Sequence, residues 1–315
     1  MTRYMESDML VFSGNANKPL AKKICDYLDI RLSPATVDCF SDGEIQVEIQ
    51  ENVRGRDVFI VQPTSAPSAH HIMEALVMVD ACKRASSRRI TLVMPYFGYA
   101  RQERKSAPRT PITAKLVSDL YTVAGAERIL AMELHTSAIQ GFFDIPVDHL
   151  FTKPIFGPYF KGRDNLIVVS PDAGGVERAR AMAKYFGCGL AIVDKRRDSP
   201  NESAVMNIIG DVEGKECLVV DDIVDTAGSL CKAADALVAQ GAVAVSAAIT
   251  HPVLSGPAVS RINESCIKEL VVSDSIQLPE EAASSEKIKV LTVADLLGKA
   301  IRRIHHDDSI SSLFV

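Results

Sequence analysis

The chain has 315 residues, 47% of them hydrophobic, enough for two domains of ordinary size, each around its own core. A formal net charge of −5 offers no electrostatic basis for a nucleic-acid partner, and no stretch approaches the roughly eighteen apolar residues of a membrane span, so both kinds of partner are excluded. Seven cysteines, odd in number and without a C-x-x-C spacing, fit a reducing cytoplasm, and the start of the chain, with Arg3, Glu6 and Asp8, reads as untargeted.

From the N-terminus, short apolar runs alternate with helical spacing. Leu10 to Ser13, Val58 to Gln62, Ile90 to Pro95 and Ile129 to Met132 read as strands, and Pro19 to Leu28, Ala69 to Arg84 and Thr113 to Ala124 as helices. Continuous apolar runs between helices suit strands covered on both faces, hence an α/β fold with a mainly parallel sheet. Glu44-Ile45-Gln46-Val47-Glu48-Ile49-Gln50 alternates strictly, so one face is polar, and a β-flap projecting from that sheet is expected. Proline and glycine between Pro154 and Gly162 suggest a boundary, after which the pattern begins again. Strands are expected at Leu166 to Val169, Leu190 to Val193, Cys217 to Val220, Val243 to Ile249 and Leu270 to Val272, with helices at Gly175 to Phe186 and from Leu230. The halves read as two similar doubly wound units, 1–155 and 156–301. The amphipathic segment Val293 to His306 is expected to carry residues 302–315 back to the first.

Candidate chemistry sits where these strands end. Met94 to Lys105 places aromatic residues before Arg101, Gln102, Arg104 and Lys105; guanidinium forks match phosphate oxygens and the rings are expected to border a base, although a solvated basic loop has the same composition. His135 ends another apolar run, where it could donate to a phosphate or ligate a metal; His70, His71, His149, His251, His305 and His306 read as surface or structural. Ser170-Pro171-Asp172-Ala173-Gly174-Gly175 opens a helix with paired glycines, so backbone N–H groups can approach an anion such as a diphosphate, while the plainer reading is a Gly-rich turn. Asp194 to Ser203 has no apolar anchor and three consecutive cations. It is expected as a mobile surface loop that could close over a polyphosphate.

After the run Cys217 to Val220, Asp221 and Asp222 are expected to mark where the strand leaves the core. Asp225-Thr226-Ala227-Gly228-Ser229 then offers hydroxyls and backbone donors at a helix N-terminus, where a phosphate is favoured. One aspartate would be an ordinary cap. Three between 221 and 225 beside a phosphate loop need sugar hydroxyls or a divalent cation to be compatible with it, so the ligand implied is a phosphorylated sugar.

The string Val219 to Ser229 resembles the phosphoribosyl-diphosphate signature of the phosphoribosyltransferase-like fold. Together with Phe40 to Glu44, Asn52 to Gly55, Pro95 to Gln102, Ile139 to Asp144, Ser170 to Val176, Lys195-Arg196-Arg197 and Ser309 to Phe314, it makes nearly the whole chain resemble the class I ribose-phosphate diphosphokinases. The resemblance implies two phosphoribosyltransferase-like domains and transfer of the β,γ-diphosphoryl group of ATP to O1 of ribose 5-phosphate, with Mg²⁺ required. It implies that Asp221, Asp222, Asp225, Thr226, Ala227, Gly228 and Ser229 hold ribose 5-phosphate. By the same resemblance Asp172, Ala173, Gly174 and Gly175 cradle the diphosphate, and His135 and Asp172 serve the metal. Arg101, Gln102 and His135 hold ATP, with Phe40, Asp42 and Glu44 reaching from the flap into a neighbouring subunit's nucleotide site. Lys195 and Arg197 are implied as catalytic, and a hexamer built from dimers, regulated by ADP and phosphate, as the assembly.

Glu103 and Glu133 stand where the family usually has Asp, and Thr136-Ser137-Ala138 replaces the usual run before Ile139. Two other readings share parts of the pattern. A phosphoribosyltransferase consuming phosphoribosyl diphosphate needs only one such domain, and a non-catalytic synthetase-associated subunit should have lost the charged loop that Lys195 and Arg197 keep here.

Overall fold

The computed structural model describes residues 8–196 and 205–313. The chain divides into two compact units, one of Met1–Phe151, Ser275–Gln277 and Thr292–Val315, the other of Thr152–Asp274 and Leu278–Leu291.

The first unit runs β1 (Met9–Ser13), α1 (Lys18–Leu28), β2 (Ala35–Cys39), β3 (Ile45–Ile49), β4 (Asp57–Val61), α2 (Ser68–Arg84), β5 (Arg89–Met94), α3 (Thr113–Ala124), β6 (Arg128–Met132) and β7 (Val147–Leu150). Its sheet is parallel throughout, in the order β1-β4-β5-β6-β7. The second unit runs α4 (Lys153–Phe160), β8 (Leu166–Ser170), α5 (Val176–Phe186), β9 (Gly189–Arg196), β10 (Val205–Ile209), β11 (Glu216–Val224), α6 (Gly228–Ala239), β12 (Ala244–Pro252), α7 (Ala258–Glu264), β13 (Ile267–Ser273), α8 (Glu280–Ala283) and β14 (Ile288–Leu291). Its order is β10-β9-β8-β11-β12-β13-β14, with β10 antiparallel to β9. Alternate strand residues face opposite layers. Val169, Val219, Ala247 and Val272 cluster with Leu230, Ala233 and Leu237 of α6, while Val168, Leu218, Ala248 and Val271 cluster with Phe156, Phe160 and Met182 of α4 and α5.

Five strands of each unit share one connectivity, and the pair after the first strand makes the difference. Apolar β9, with Ala191 and Val193 buried, stays in the second sheet. In the first unit β2 and β3 alternate between exposed and half-buried residues and pair only with each other, Val37 opposite Val47, forming the flap.

Three expectations change. The stretch 154–162 lies inside the second unit and mostly in α4, which starts with Pro154 in its first turn, a position where proline costs no hydrogen bond. Asp194 to Arg196 belong to strand β9, because β10 pairs back onto them; Arg197 and the rest of the expected mobile loop to Ser203 lie outside the described residues. Strand β11 does not end at Val220. It continues in register with β12 through Asp221, opposite Ile249, to Val224, because its neighbour β12 is equally long.

The chain finishes on the first unit with α9 (Ala294–His305), whose buried Leu297, Ala300, Ile301 and Ile304 form one face, and which packs on α1. Gly298 permits the approach, since a Cβ there would run into the Tyr27 ring. A buried ion cluster adds direction. Asp57, fully buried at the start of β4, accepts from Arg89 Nε (2.9 Å) and Nη2 (2.6 Å) and pairs with His305 Nδ1 (2.8 Å), while Arg89 also reaches Asp307 (2.8 Å) and Ile304 O (2.7 Å). Burial would raise the Asp57 pKa, but the hydrogen bonds and charges of His305 and Arg89 outweigh it and hold the carboxyl below its usual range.

Asp57→Asn leaves a buried cation facing a neutral amide and is expected to cost about 3 kcal/mol in urea denaturation at neutral pH. Because the folded pKa is depressed, the stabilisation is present above the ordinary carboxylate pKa and lost as pH falls through the lowered value. The gap between wild type and variant therefore closes on acidification.

Candidate active site

In the second unit the chain leaves β8 toward β9 on one side, while β11 and its successors lie on the other, so the strand order reverses between β8 and β11. In open parallel sheets ligands bind outside the carboxyl ends of the strands at such a reversal, where two loops part and leave a crevice. Both loops singled out in the sequence stand there.

The loop after β8 is closed by its own side chains. Ser170 Oγ donates to Asp172 O (2.7 Å), and Asp172 Oδ1 accepts from Gly175 N (3.0 Å) at the mouth of α5. Ala173 and Gly174 are exposed and Asp172 half-buried, so bare backbone is presented to solvent. A Cβ on Gly175 would lie 3.0 Å from Ser170 Oγ and 3.7 Å from Asp221 Oδ1, which shows how closely this loop passes the acidic strand.

Asp221 is half-buried and Asp222 buried on adjacent positions of β11. Asp221 Oδ1 accepts from the Asp222 backbone N (2.9 Å). Burial, and next the charge of Asp222, push the Asp221 carboxyl up, with Arg178 opposing. Arg178, one turn into α5, sets Nη1 3.4 Å from Asp221 Oδ1 and 3.3 Å from Asp222 Oδ1. Sequence reasoning passed over it; the signal was a cation three residues after Gly175, on the helix whose mouth faces the acidic pair.

The loop beyond Val224 is held from α7 and the turn before it. Ser255 N donates to Asp225 O (3.0 Å), Ser255 Oγ donates to Asp225 Oδ1, and Arg261 Nη1 donates to Thr226 O (3.0 Å). Ala227 is buried in the left-handed region (φ 59°), turning the chain so that α6 begins at Gly228 with Thr226 and Ser229 exposed beside its first N–H groups. Ser255 and Arg261 were also missed, being distant in sequence. Lys195 is in β9, its backbone opposite Met206, and Arg197 is outside the described residues.

In the first unit Arg101, Gln102 and His135 follow the adjacent parallel strands β5 and β6, beyond their carboxyl ends. Gln102 is fixed by Thr113 Oγ1, which donates to its Oε1 (2.5 Å), and Arg101 is exposed. Of the rings expected to border a base, Tyr96 and Phe97 turn inward, while Tyr99 stays half-buried. The first two are 7% and 2% exposed, and Phe97 packs edge-on against Tyr121 and Phe143, because apolar rings directly after a buried strand are drawn into the core. His135 is half-buried, and the turn before it is set by Glu133 in the left-handed region (φ 41°) and by His149 Nε2, which accepts from Leu134 N (2.8 Å). Phe40, Asp42 and Glu44 lie exposed at the flap tip, where Phe40 N donates to Glu44 O (2.8 Å) and Gly43 takes φ +92°.

A parallel sheet reversing between a Gly-rich loop and an acidic strand end, in a chain that builds the frame twice, defines a two-domain α/β enzyme of the phosphoribosyltransferase-like fold. Residues 9–125 match the family model described as the N-terminal domain of ribose phosphate pyrophosphokinase, and residues 195–315 match the phosphoribosyl synthetase-associated domain. The ribose-phosphate pyrophosphokinase of Rhizobium meliloti is 59% identical over 97% of this chain and all of that protein, and that of Corynebacterium ammoniagenes 54% over 99% of each. Among solved structures, phosphoribosylpyrophosphate synthetase from Mycobacterium smegmatis superposes with a TM-score of 0.90 at 38% identity, covering 95% of this chain and 99% of that one. The chain belongs to the ribose-phosphate pyrophosphokinase family.

Removing the cation between the two carboxylates should drive the Asp221 pKa further up. In Arg178→Ala, carboxyl NMR titration is expected to show Asp221 ionising at higher pH than in the wild type; an unchanged midpoint would mean that Arg178 does not govern the pair.

Proposed function

We infer that the chain is an ATP:ribose-5-phosphate diphosphotransferase, making 5-phosphoribosyl 1-diphosphate and AMP. The observation that carries this is the parallel pairing of β8 with β11, which sets the Asp172–Gly175 loop beside the acidic strand end and the Thr226–Ser229 turn. Asp221, Asp222 and Asp225 accept from ribose hydroxyls, and Thr226 to Ser229 donate to the 5-phosphate at the α6 N-terminus. Asp172 to Gly175 receive the migrating diphosphate, while Arg101, Gln102 and His135 bind ATP.

Mg²⁺ fits the donors available. It takes one or two hard carboxylate oxygens plus substrate phosphates and keeps its waters, which Asp172 can serve without the cluster of three or more ligands that is absent among the described residues. Asp172 would offer it a carboxylate oxygen, and when bound it neutralises polyphosphate charge. In the reaction the O1–Pβ bond forms as the bond from Pβ to the bridging oxygen of the α-phosphate breaks; AMP leaves and the C1 hydroxyl proton is released. Lys195 and Arg197 then offset the charge on the transferred group, with no covalent enzyme intermediate.

The exposed flap tip supports a shared site, in which Phe40, Asp42 and Glu44 reach a neighbouring subunit's nucleotide within a homo-oligomer, a hexamer built from dimers. ADP and phosphate are proposed as its regulators. No helix among the described residues is long and apolar enough to cross a membrane, and a cytoplasmic location is proposed.

Purified protein given ATP, Mg²⁺ and ribose 5-phosphate is expected to yield AMP and phosphoribosyl diphosphate in equal amounts; ADP as the main nucleotide product would overturn diphosphoryl transfer. Lys195→Ala should lower kcat by about a hundredfold or more with KM values little changed, the pattern of a group acting mainly in the transition state.

A further inference from the structure

The first unit holds a buried carboxylate that the proposed reaction does not use. Glu74 on α2 is 1% exposed, yet it accepts from the Asn15 backbone N (3.1 Å), from Asn15 Nδ2 and from Gln62 Nε2 (2.6 Å), with His70 Nε2 3.4 Å away. Gln62 in turn accepts from Ala16 N (3.3 Å) and donates to His71 O (3.3 Å). Gly14 makes room, since a Cβ there would overlap the Gln62 amide. These bonds fix the connection between β1 and α1 to α2. A carboxylate removed from water needs this many donors, which explains why three polar side chains converge on it.

The network does not stop at the sheet. Asn15, itself exposed, also donates through Nδ2 to Val37 O in β2 (3.0 Å). Val37 pairs with Val47 across the flap, and Ala35, Val37, Val47 and Ile49 lie against the core of the first unit. Apolar contact on one face gives a two-stranded ribbon adhesion but little direction, and such a ribbon is marginal by itself. A hydrogen bond with a required angle supplies direction. Val37 is three residues before Phe40, so the exposed tip stands roughly 10 Å beyond this point, and a small rotation at the root is magnified there.

We propose that Glu74, acting through Asn15, is the positioning residue that aims the flap, and with it Phe40, Asp42 and Glu44, at the nucleotide. This rests on the flap's part in the proposed reaction. Asn15 lies on the surface, so its replacement leaves the core intact. Asn15→Ala removes both Nδ2 bonds. Asn15→Asp keeps the shape but turns a donor into an acceptor that faces the Glu74 carboxylate and the Val37 carbonyl.

The test combines initial rates of AMP formation with amide hydrogen exchange over residues 35–49, on the full-length protein. Asn15→Ala is expected to exchange faster in the flap and to raise KM for ATP about fivefold, the typical weight of one hydrogen bond, with KM for ribose 5-phosphate within about twofold of wild type. Asn15→Asp should exceed it in both readouts, which loss of shape alone would not produce. Unchanged exchange in both variants would overturn the anchor. Faster exchange with an unchanged KM for ATP would overturn its link to nucleotide binding. Wild-type protein that forms no AMP would sink the reaction itself, leaving the exchange data to decide the anchor independently.

Discussion

Two neighbouring carboxylates on the inner end of a parallel strand repel each other and lose hydration together, so they stay ionised only beside positive charge or hydrogen-bond donors. Asp221 and Asp222 are in that position, and most of the second unit's upper surface can be understood as its consequence. Arg178 comes in from α5 because β8 and β11 are neighbours, and the Asp172–Gly175 loop passes close because the same pairing brings the mouth of that helix alongside.

Direction of pKa separates this pair from the buried acid cluster around Asp57. Asp57 is more deeply buried than Asp221 but has His305 and the fork of Arg89, and its carboxyl is pulled down. Asp221 has less compensation than its burial demands and is pushed up. The saturated cluster at Asp57 clamps the C-terminal helix through His305 and Arg89. Glu74 belongs with Asp57 in its saturation, yet its Asn15 donor leads on to the flap rather than into the core.

The two units also show how one frame is adapted by the polarity of two strands. Where the pair after the first strand is apolar, as in β9, it widens the sheet and creates a strand-order reversal. Where the pair alternates, as in β2 and β3, burying both faces would strand polar side chains, so it leaves the sheet and becomes a projecting ribbon. The first unit thereby gives up that reversal at β1 and gains an arm.

Periodicity and motif spacing alone determined the α/β class, the repeated frame, the flap and the two strand-to-helix loops after β8 and β11, because each is encoded in residues close together in the chain. The short strands β7 and β14 escaped notice, since Val147-Asp148-His149-Leu150 and Ile288-Lys289-Val290-Leu291 alternate too briefly to stand out. Whether Tyr96 and Phe97 face a base or the core could not be read from spacing, because aromatic rings read alike in both places; burial of both, and packing of Phe97 against Tyr121 and Phe143, distinguishes the two. Strand β11 ran past its aspartates because its length was set by β12, a neighbour the local apolar run could not report. Arg178, Ser255, Arg261, His149 and Asn15 gain their roles only through partners far along the chain. Tertiary structure decided those roles, since the hydrogen bonds and charges that define them exist only once distant strands have paired.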